Sequence, residues 1–185
     1  MDAVDAAFVA VPRAGFLPKA AVDRASFDGP IPIGYGQTNS QPRTVADMLR
    51  ILDVRPGHRV LDVGSGSGWT TALLAYLTGP DGEVVGVELE PELARWGAGN
   101  VAAAGRPWAR VQDATPGVLG VPARAPYDRI LVSAGATAMP TALLEQLADP
   151  GRLVVPVAGW MRLVVREGGH DETSTHGAFR FVPLR

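Results

Sequence analysis

Leu61-Asp62-Val63-Gly64-Ser65-Gly66-Ser67-Gly68 joins a β-branched apolar segment to a helical one over 69–77 through glycines at alternate positions. Glycine lets a backbone turn sharply and come close to a ligand with no Cβ in the way. A strand, a glycine turn and a helix in succession form the cradle at the first crossover of a doubly wound sheet, where nucleotide-like cofactors sit. The dinucleotide fingerprint requires G-x-G-x-x-G, whereas here the third glycine comes one residue early, which argues against NAD and FAD.

Working outward, strand and helix signals alternate: a strand over 84–87, a helix over 91–104, strands over 108–111 and 127–132, a helix over 140–147 and a strand over 153–157. That alternation means parallel strands joined by helical crossovers. Strands over 161–166 and 178–184 flank a Gly- and Thr-rich turn with no helix between them. The expected fold is therefore α/β, a doubly wound and mostly parallel sheet that finishes in a C-terminal antiparallel hairpin strand. Upstream, Val4, Phe8 and Val11 repeat at helical spacing, a second short helix is expected after Pro18, and Val45, Met48, Leu49 and Leu52 mark an amphipathic helix. Pro42 opens that helix, with Ser40 or Gln41 near its N-cap. The stretch 28–42, DGPIPIGYGQTNSQP, has no periodicity and is too apolar for a linker, so it reads as an ordered binding loop.

The chain of 185 residues is sized for one domain, 1–185, with N-terminal helices and the loop in 1–56 and the sheet in 57–185. A net charge of −2 gives no electrostatic footprint for nucleic acid or an anionic membrane. The absence of cysteine removes disulfides, thiolate metal sites and thiol nucleophiles, and agrees with a reducing cytoplasm. The first twelve residues lack the basic region of a secretory signal, and no run reaches the ~20 apolar residues of a membrane span. His58, His170 and His176 share no ligand spacing, so no metal is expected.

Two acidic residues extend the glycine turn into a site. Glu88 ends the strand after it, where a carboxylate accepts both hydroxyls of a ribose and repels a 2′-phosphate, disfavouring NADP. Asp113 follows the strand over 108–111, where a carboxylate can accept from an exocyclic amine such as adenine's. Asp62 is placed to brace the turn by accepting backbone N–H bonds. Trp69, next after the turn, reads equally as helix packing or as a flank of the cofactor.

The succession of Asp62, Gly64, Ser65, Gly66 and Gly68, then Glu88, then Asp113 on three strand ends resembles the class I methyltransferases that use S-adenosylmethionine. The resemblance implies that the turn faces the methionine part, Glu88 the ribose and Asp113 the adenine. It narrows at PIGYGQTNSQP (32–42), which is similar to the signature of protein-L-isoaspartate O-methyltransferases. AFVAVPRAGFLP, VRPGHRVLDVGSGSGWTTALLA, APYDRILVSAGA, LLEQLADPGRLVVPV and FRFVPLR extend the likeness over most of the chain. Two positions depart from that family: Asn39 stands where an aliphatic residue is usual, and Gln112-Asp113-Ala114 replaces Gly-Asp-Gly.

The family implies methyl transfer to the free carboxylate of L-isoaspartyl residues in damaged proteins or peptides, initiating repair, with Ser40 beside the acceptor and Thr38 next to it. Ser40 would orient the acceptor rather than attack; its plain alternative is a helix N-cap. Hydroxyls and glycine-loop N–H groups suit an anion. The expected partners are isoaspartyl-containing proteins, with no nucleic acid and no membrane, and the expected state is a cytoplasmic monomer. The strand over 127–132 leads into Ser-Ala-Gly-Ala rather than an Asn or Asp with prolines and an aromatic, unlike nucleic-acid adenine methyltransferases. Asn39 keeps open an acceptor on a dedicated peptide or small molecule, carboxyl or hydroxyl. From another class, a non-catalytic S-adenosylmethionine-binding protein also stays open.

Overall fold

The computed structural model describes residues 2–185. In chain order it contains α1 (Ala3–Ala10), two 3-10 turns (Arg13–Phe16 and Lys19–Arg24), a small hairpin of β1 (Ile31–Gly34) and β2 (Gln37–Asn39), and α2 (Pro42–Leu52). There follow β3 (Arg59–Val63), α3 (Trp69–Thr78), β4 (Glu83–Glu88), α4 (Pro91–Ala103) and β5 (Ala109–Asp113). A 3-10 turn (Pro122–Arg124), β6 (Tyr127–Val132), α5 (Thr141–Leu144), β7 (Leu147–Val157), β8 (Trp160–Glu167) and β9 (His170–Ala178) complete it. The main sheet has the order β5-β4-β3-β6-β7-β8-β9, parallel through β7, with β8 antiparallel to β7 and β9 antiparallel to β8. No helix among the described residues is long and apolar enough to cross a membrane.

Both faces of the sheet are covered, which is why its central strands read as continuous apolar runs. Val60, Val84, Leu131 and Val154 pack with α1, α2 and α3 on one face. Leu61, Val63, Val85, Ile130 and Leu153 pack on the other with Tyr127, Leu143 and Leu147. Period-two alternation therefore turns Asp62 toward α3 together with Val60. On α2 the buried residues are the ones spaced for it, Val45, Met48, Leu49 and Leu52. Its last carbonyls are met from the sheet: Arg129 Nε donates to Asp53 O at 3.0 Å and Arg152 Nη1 to Ile51 O at 3.2 Å. Cations at a helix C-terminus satisfy orphan acceptors and oppose the macrodipole.

Four boundaries differ from the sequence expectations. The last strand is His170–Ala178, not 178–184, because Gly168 and Gly169 take left-handed φ of 59° and 78° and close the hairpin earlier. The stretch 178–184 instead folds back over the loop after β6, with Gly135 N–H donating to Val182 O at 2.7 Å and Leu184 N–H to Gly135 O at 2.9 Å. The helix expected over 140–147 is the single turn α5, and Leu147 already begins β7. The strand expected over 108–111 runs Ala109–Asp113, so Asp113 ends the strand rather than following it. The loop 28–42 is ordered and contains the β1–β2 hairpin.

Candidate active site

The chain leaves β3 for β4 on one side while β6 lies on the other, so the C-terminal end of β3 is the switch point of the sheet, where a crevice opens. The glycine turn fills that end. Gly64, Gly66 and Gly68 all have left-handed φ, 79°, 52° and 85°. The N–H groups of Gly64 and Ser65 both donate to Val87 O, at 2.9 and 3.1 Å. Gly66 N–H donates to Glu88 Oε2 at 2.9 Å, and Glu90 N–H to Glu88 Oε1 at 3.0 Å. The turn is thus clamped to β4, and these amides are spent on β4 rather than offered to an anion.

Next to the turn is a cavity of about 580 Å3, walled by Gln37 and Thr38 of the hairpin, Gly64 and Gly66, Glu88, the segments 114–120 and 133–140, and the chain end 182–185. Its size is that of a pocket for a drug-sized ligand. Glu88, 8% exposed, presents its carboxylate in this wall with lone pairs left beyond the two amide bonds. A Cβ on Gly66 would stand a tight 3.3 Å from Ile33 Cδ1, so the hairpin lies directly on the turn. A cavity of this size, with a carboxylate that keeps free lone pairs and a glycine backbone along one wall, fits a nucleoside-bearing cofactor such as S-adenosylmethionine.

The remaining acidic and glycine candidates separate. Asp62 is fully buried and accepts from the hydroxyls of Thr70 and Thr71, both at 2.7 Å, not from backbone N–H groups as expected. Burial pushes its carboxyl up to about 6 although the two threonines pull the other way. Among the described residues its Oδ1 and the buried Ser65 Oγ have no hydrogen-bond partner. Gly68 caps α3 and serves packing, since a Cβ there falls 2.8 Å from Gly97 O on α4. Asp113 pairs in register with Glu88 on the same rim, but it is exposed, and the neighbouring Ala114 forms the cavity wall instead. Trp69 is a packing residue: its Nε1–H donates to Val11 O at 3.1 Å and Phe8 meets its ring edge-on at 5.2 Å.

The acceptor candidates sit across the turn. A second cavity of about 30 Å3 lies between hairpin and turn, lined by Thr38, Ser40, Ser65 and Ser67 among others; Thr38 walls both cavities. Gln41, not Ser40, is the N-cap of α2, and its side chain makes no capping bond. Arg13 was not apparent from the sequence. It is 5% exposed, its Nη1 donates to Phe27 O, and its Nη2 donates to the carbonyls of Gly29, Asn39 and Ser40 at 2.9, 3.0 and 2.9 Å. Burial lowers its guanidinium to about 10, so it stays cationic at neutral pH. An arginine inside the apolar run VPRAGF was the only sequence signal for it. The chain end 182–185 was also missed as a cavity wall, having been read as strand.

The family model described as protein-L-isoaspartate(D-aspartate) O-methyltransferase matches residues 1–185. A protein-L-isoaspartate O-methyltransferase of Methanopyrus kandleri is 45% identical over 184 residues, covering 96% of this chain and 81% of that one. A solved structure of a protein-L-isoaspartate O-methyltransferase superposes with a TM-score of 0.89 at 27% identity; the match covers all of this chain, which spans 62% of that one. A crystal structure from Plasmodium falciparum, in complex with S-adenosyl-L-homocysteine, gives a TM-score of 0.85 at 24% identity, covering all of this chain and 91% of that one.

Proposed function

Because the chain belongs to the protein-L-isoaspartate(D-aspartate) O-methyltransferase family, we propose that it methylates the free carboxylate of L-isoaspartyl residues in damaged proteins and peptides, using S-adenosylmethionine. The observation that carries this reading is the hairpin with Thr38 and Ser40 seated on the glycine turn, beside the cavity that Glu88 lines. In the assignment we make, Glu88 holds the ribose and Gly64 and Gly66 give the backbone surface for the methionine arm, with Ser65 buried between them within the turn. Asp62 and Gly68 act from beneath, shaping the turn. Asp113 reaches the adenine from the rim.

Bound S-adenosylmethionine supplies an electrophilic methyl on a sulfonium sulfur. The acceptor is already an anion at neutral pH, so positioning is the main task, worth as much as ~7–11 kcal/mol in well-oriented systems. Ser40 and Thr38 donate hydroxyl hydrogens to the acceptor carboxylate and leave one oxygen facing the turn. Esterification turns a poor leaving group into a good one, after which the following backbone nitrogen closes a succinimide that reopens in part as normal aspartyl.

The site draws on both 1–56 and 57–185, which supports a single domain complete within one chain, working as a monomer. The cysteine-free sequence supports the cytoplasm as its compartment. The deciding assay gives the enzyme an isoaspartyl peptide and its normal aspartyl twin and follows a gain of one methyl by mass spectrometry. Methylation of the isoaspartyl peptide alone is expected. Equal modification of both, or of neither, overturns the reading in favour of another acceptor or a binding protein.

A further inference from the structure

We infer that Asn39 couples the two halves of the site, making the affinity for the acceptor depend on whether the cofactor pocket is filled. This rests on the carboxyl-methyltransferase reading above. Asn39 ends β2, one residue before Ser40, and is 4% exposed. Its Oδ1 accepts from Arg13 Nε at 2.6 Å, and its Nδ2 donates to Ser67 Oγ at 3.0 Å. Ser67, 2% exposed, lies within the glycine turn, and its carbonyl accepts from Asn100 Nδ2 of α4 at 2.9 Å.

One amide therefore joins two bodies that each ligand can order further. On one side is the hairpin base, whose carbonyls at 27, 29, 39 and 40 converge on the Arg13 guanidinium. On the other is the turn that α4 and Glu88 hold in place. Both bonds that Asn39 makes in the link are buried, so leaving either partner unpaired is costly. A ligand that fixes the turn will fix Ser67, through it Asn39, and so the direction of the adjacent Ser40. Ordering paid for by the first ligand is then not paid again by the second, which is positive coupling. Linkage requires the effect to be reciprocal: an acceptor peptide must tighten cofactor binding by the same factor. Asn39 is a positioning residue, acting through the direction it gives Ser40.

The test measures affinity for an isoaspartyl peptide by calorimetry with and without S-adenosyl-L-homocysteine, in the whole chain. For the natural protein the ratio of the two affinities is expected to be about tenfold. Asn39→Leu, close in volume but unable to bridge, should bring it near one. Asn39→Asp should preserve it, since a carboxylate accepts both from Arg13 and from the Ser67 hydroxyl. Ser67→Ala removes the far partner with a small truncation and should abolish coupling as well, and the double variant should be no worse than either single one. A ratio unchanged in Asn39→Leu and Ser67→Ala, or effects that add in the double variant, overturns the inference. If the natural protein fails to methylate the peptide at all, it is the functional reading that fails; if it methylates and the ratio is already one, only the coupling does.

Discussion

At the level of single residues, Glu88 and Ser40 should fail in different ways. Glu88 accepts from the part-buried amides of Gly66 and Glu90, so Glu88→Ala leaves them unpaired as well as removing the carboxylate we propose for the ribose. At ~1–3 kcal/mol for such a loss, affinity for S-adenosyl-L-homocysteine should fall about ten- to a hundredfold by calorimetry. Ser40→Ala should leave that affinity within about twofold and cut kcat about tenfold, the worth of one hydrogen bond to the acceptor. Asp62 gives a pH signature. Its carboxyl is raised from 3.8 to about 6 in the folded chain, so well below pH 3.8 it is protonated in both states and carries no penalty. As pH rises toward 6 the unfolded chain ionises first and folding loses ground, reaching roughly 3 kcal/mol above that pH. Asp62→Asn in the ligand-free protein should therefore raise the melting temperature at pH 8 and lose most of its advantage near pH 4. A gain that does not vary with pH would show that Asp62 titrates as it does in the unfolded chain. None of this detail lay in the motif: G-x-G-x-G located the turn, but which side of β3 Asp62 faces followed from strand alternation, and Arg13 grips carbonyls 14 to 27 residues away that no spacing pattern encodes.

Among the elements, α4 sets the shape of the turn by backbone-to-backbone contact. A Cβ on Gly97 would lie 2.6 Å from Gly66 O and 3.3 Å from Gly68 N, whereas among the described residues one on Gly99, two residues on, meets nothing beyond its own helix and chain neighbours within 4 Å. Gly97→Ala must push the turn off the helix, costing ~1–3 kcal/mol of stability and weakening S-adenosyl-L-homocysteine at least about tenfold. Gly99→Ala fills open space in a helix and should stabilise by up to ~1 kcal/mol with unchanged binding. Melting curves and calorimetry on the two variants separate contact at the turn from helix propensity; equal binding losses would refute it. The helices whose apolar faces repeat, α2 above all, were legible because one buried stripe fixes both period and direction. The end of α5 was not, because Leu143, Leu144 and Leu147 continue a helical spacing while the chain has already turned into β7. The last strand escaped for a different reason: all nine residues of β9 are exposed, so burial imposes no alternation on HDETSTHGA.

For the molecule as a whole, the same gradient of burial that made the centre readable should govern its dynamics. Leu61, Val84, Val85, Ile130 and Leu131 are wholly buried in β3, β4 and β6, each flanked by strands on both sides. By contrast β9 lies at the edge of the sheet, paired with β8, and all of its residues are exposed. Amides that open only with the whole fold exchange slowest, and edges open locally at small cost. Hydrogen exchange followed by mass spectrometry should thus rank β3 and β6 slowest and β9 fastest of the main sheet. Adding S-adenosyl-L-homocysteine should slow exchange in residues 64–68 and in the hairpin 31–39, which rest on one another, while β9 lies outside the site and keeps its rate. Protection confined to 64–68 would mean that the hairpin does not feel the filled pocket. Protection that spread equally to β9 would mean that ligand stabilises the fold as a unit, rather than ordering the two surfaces between which the methyl passes.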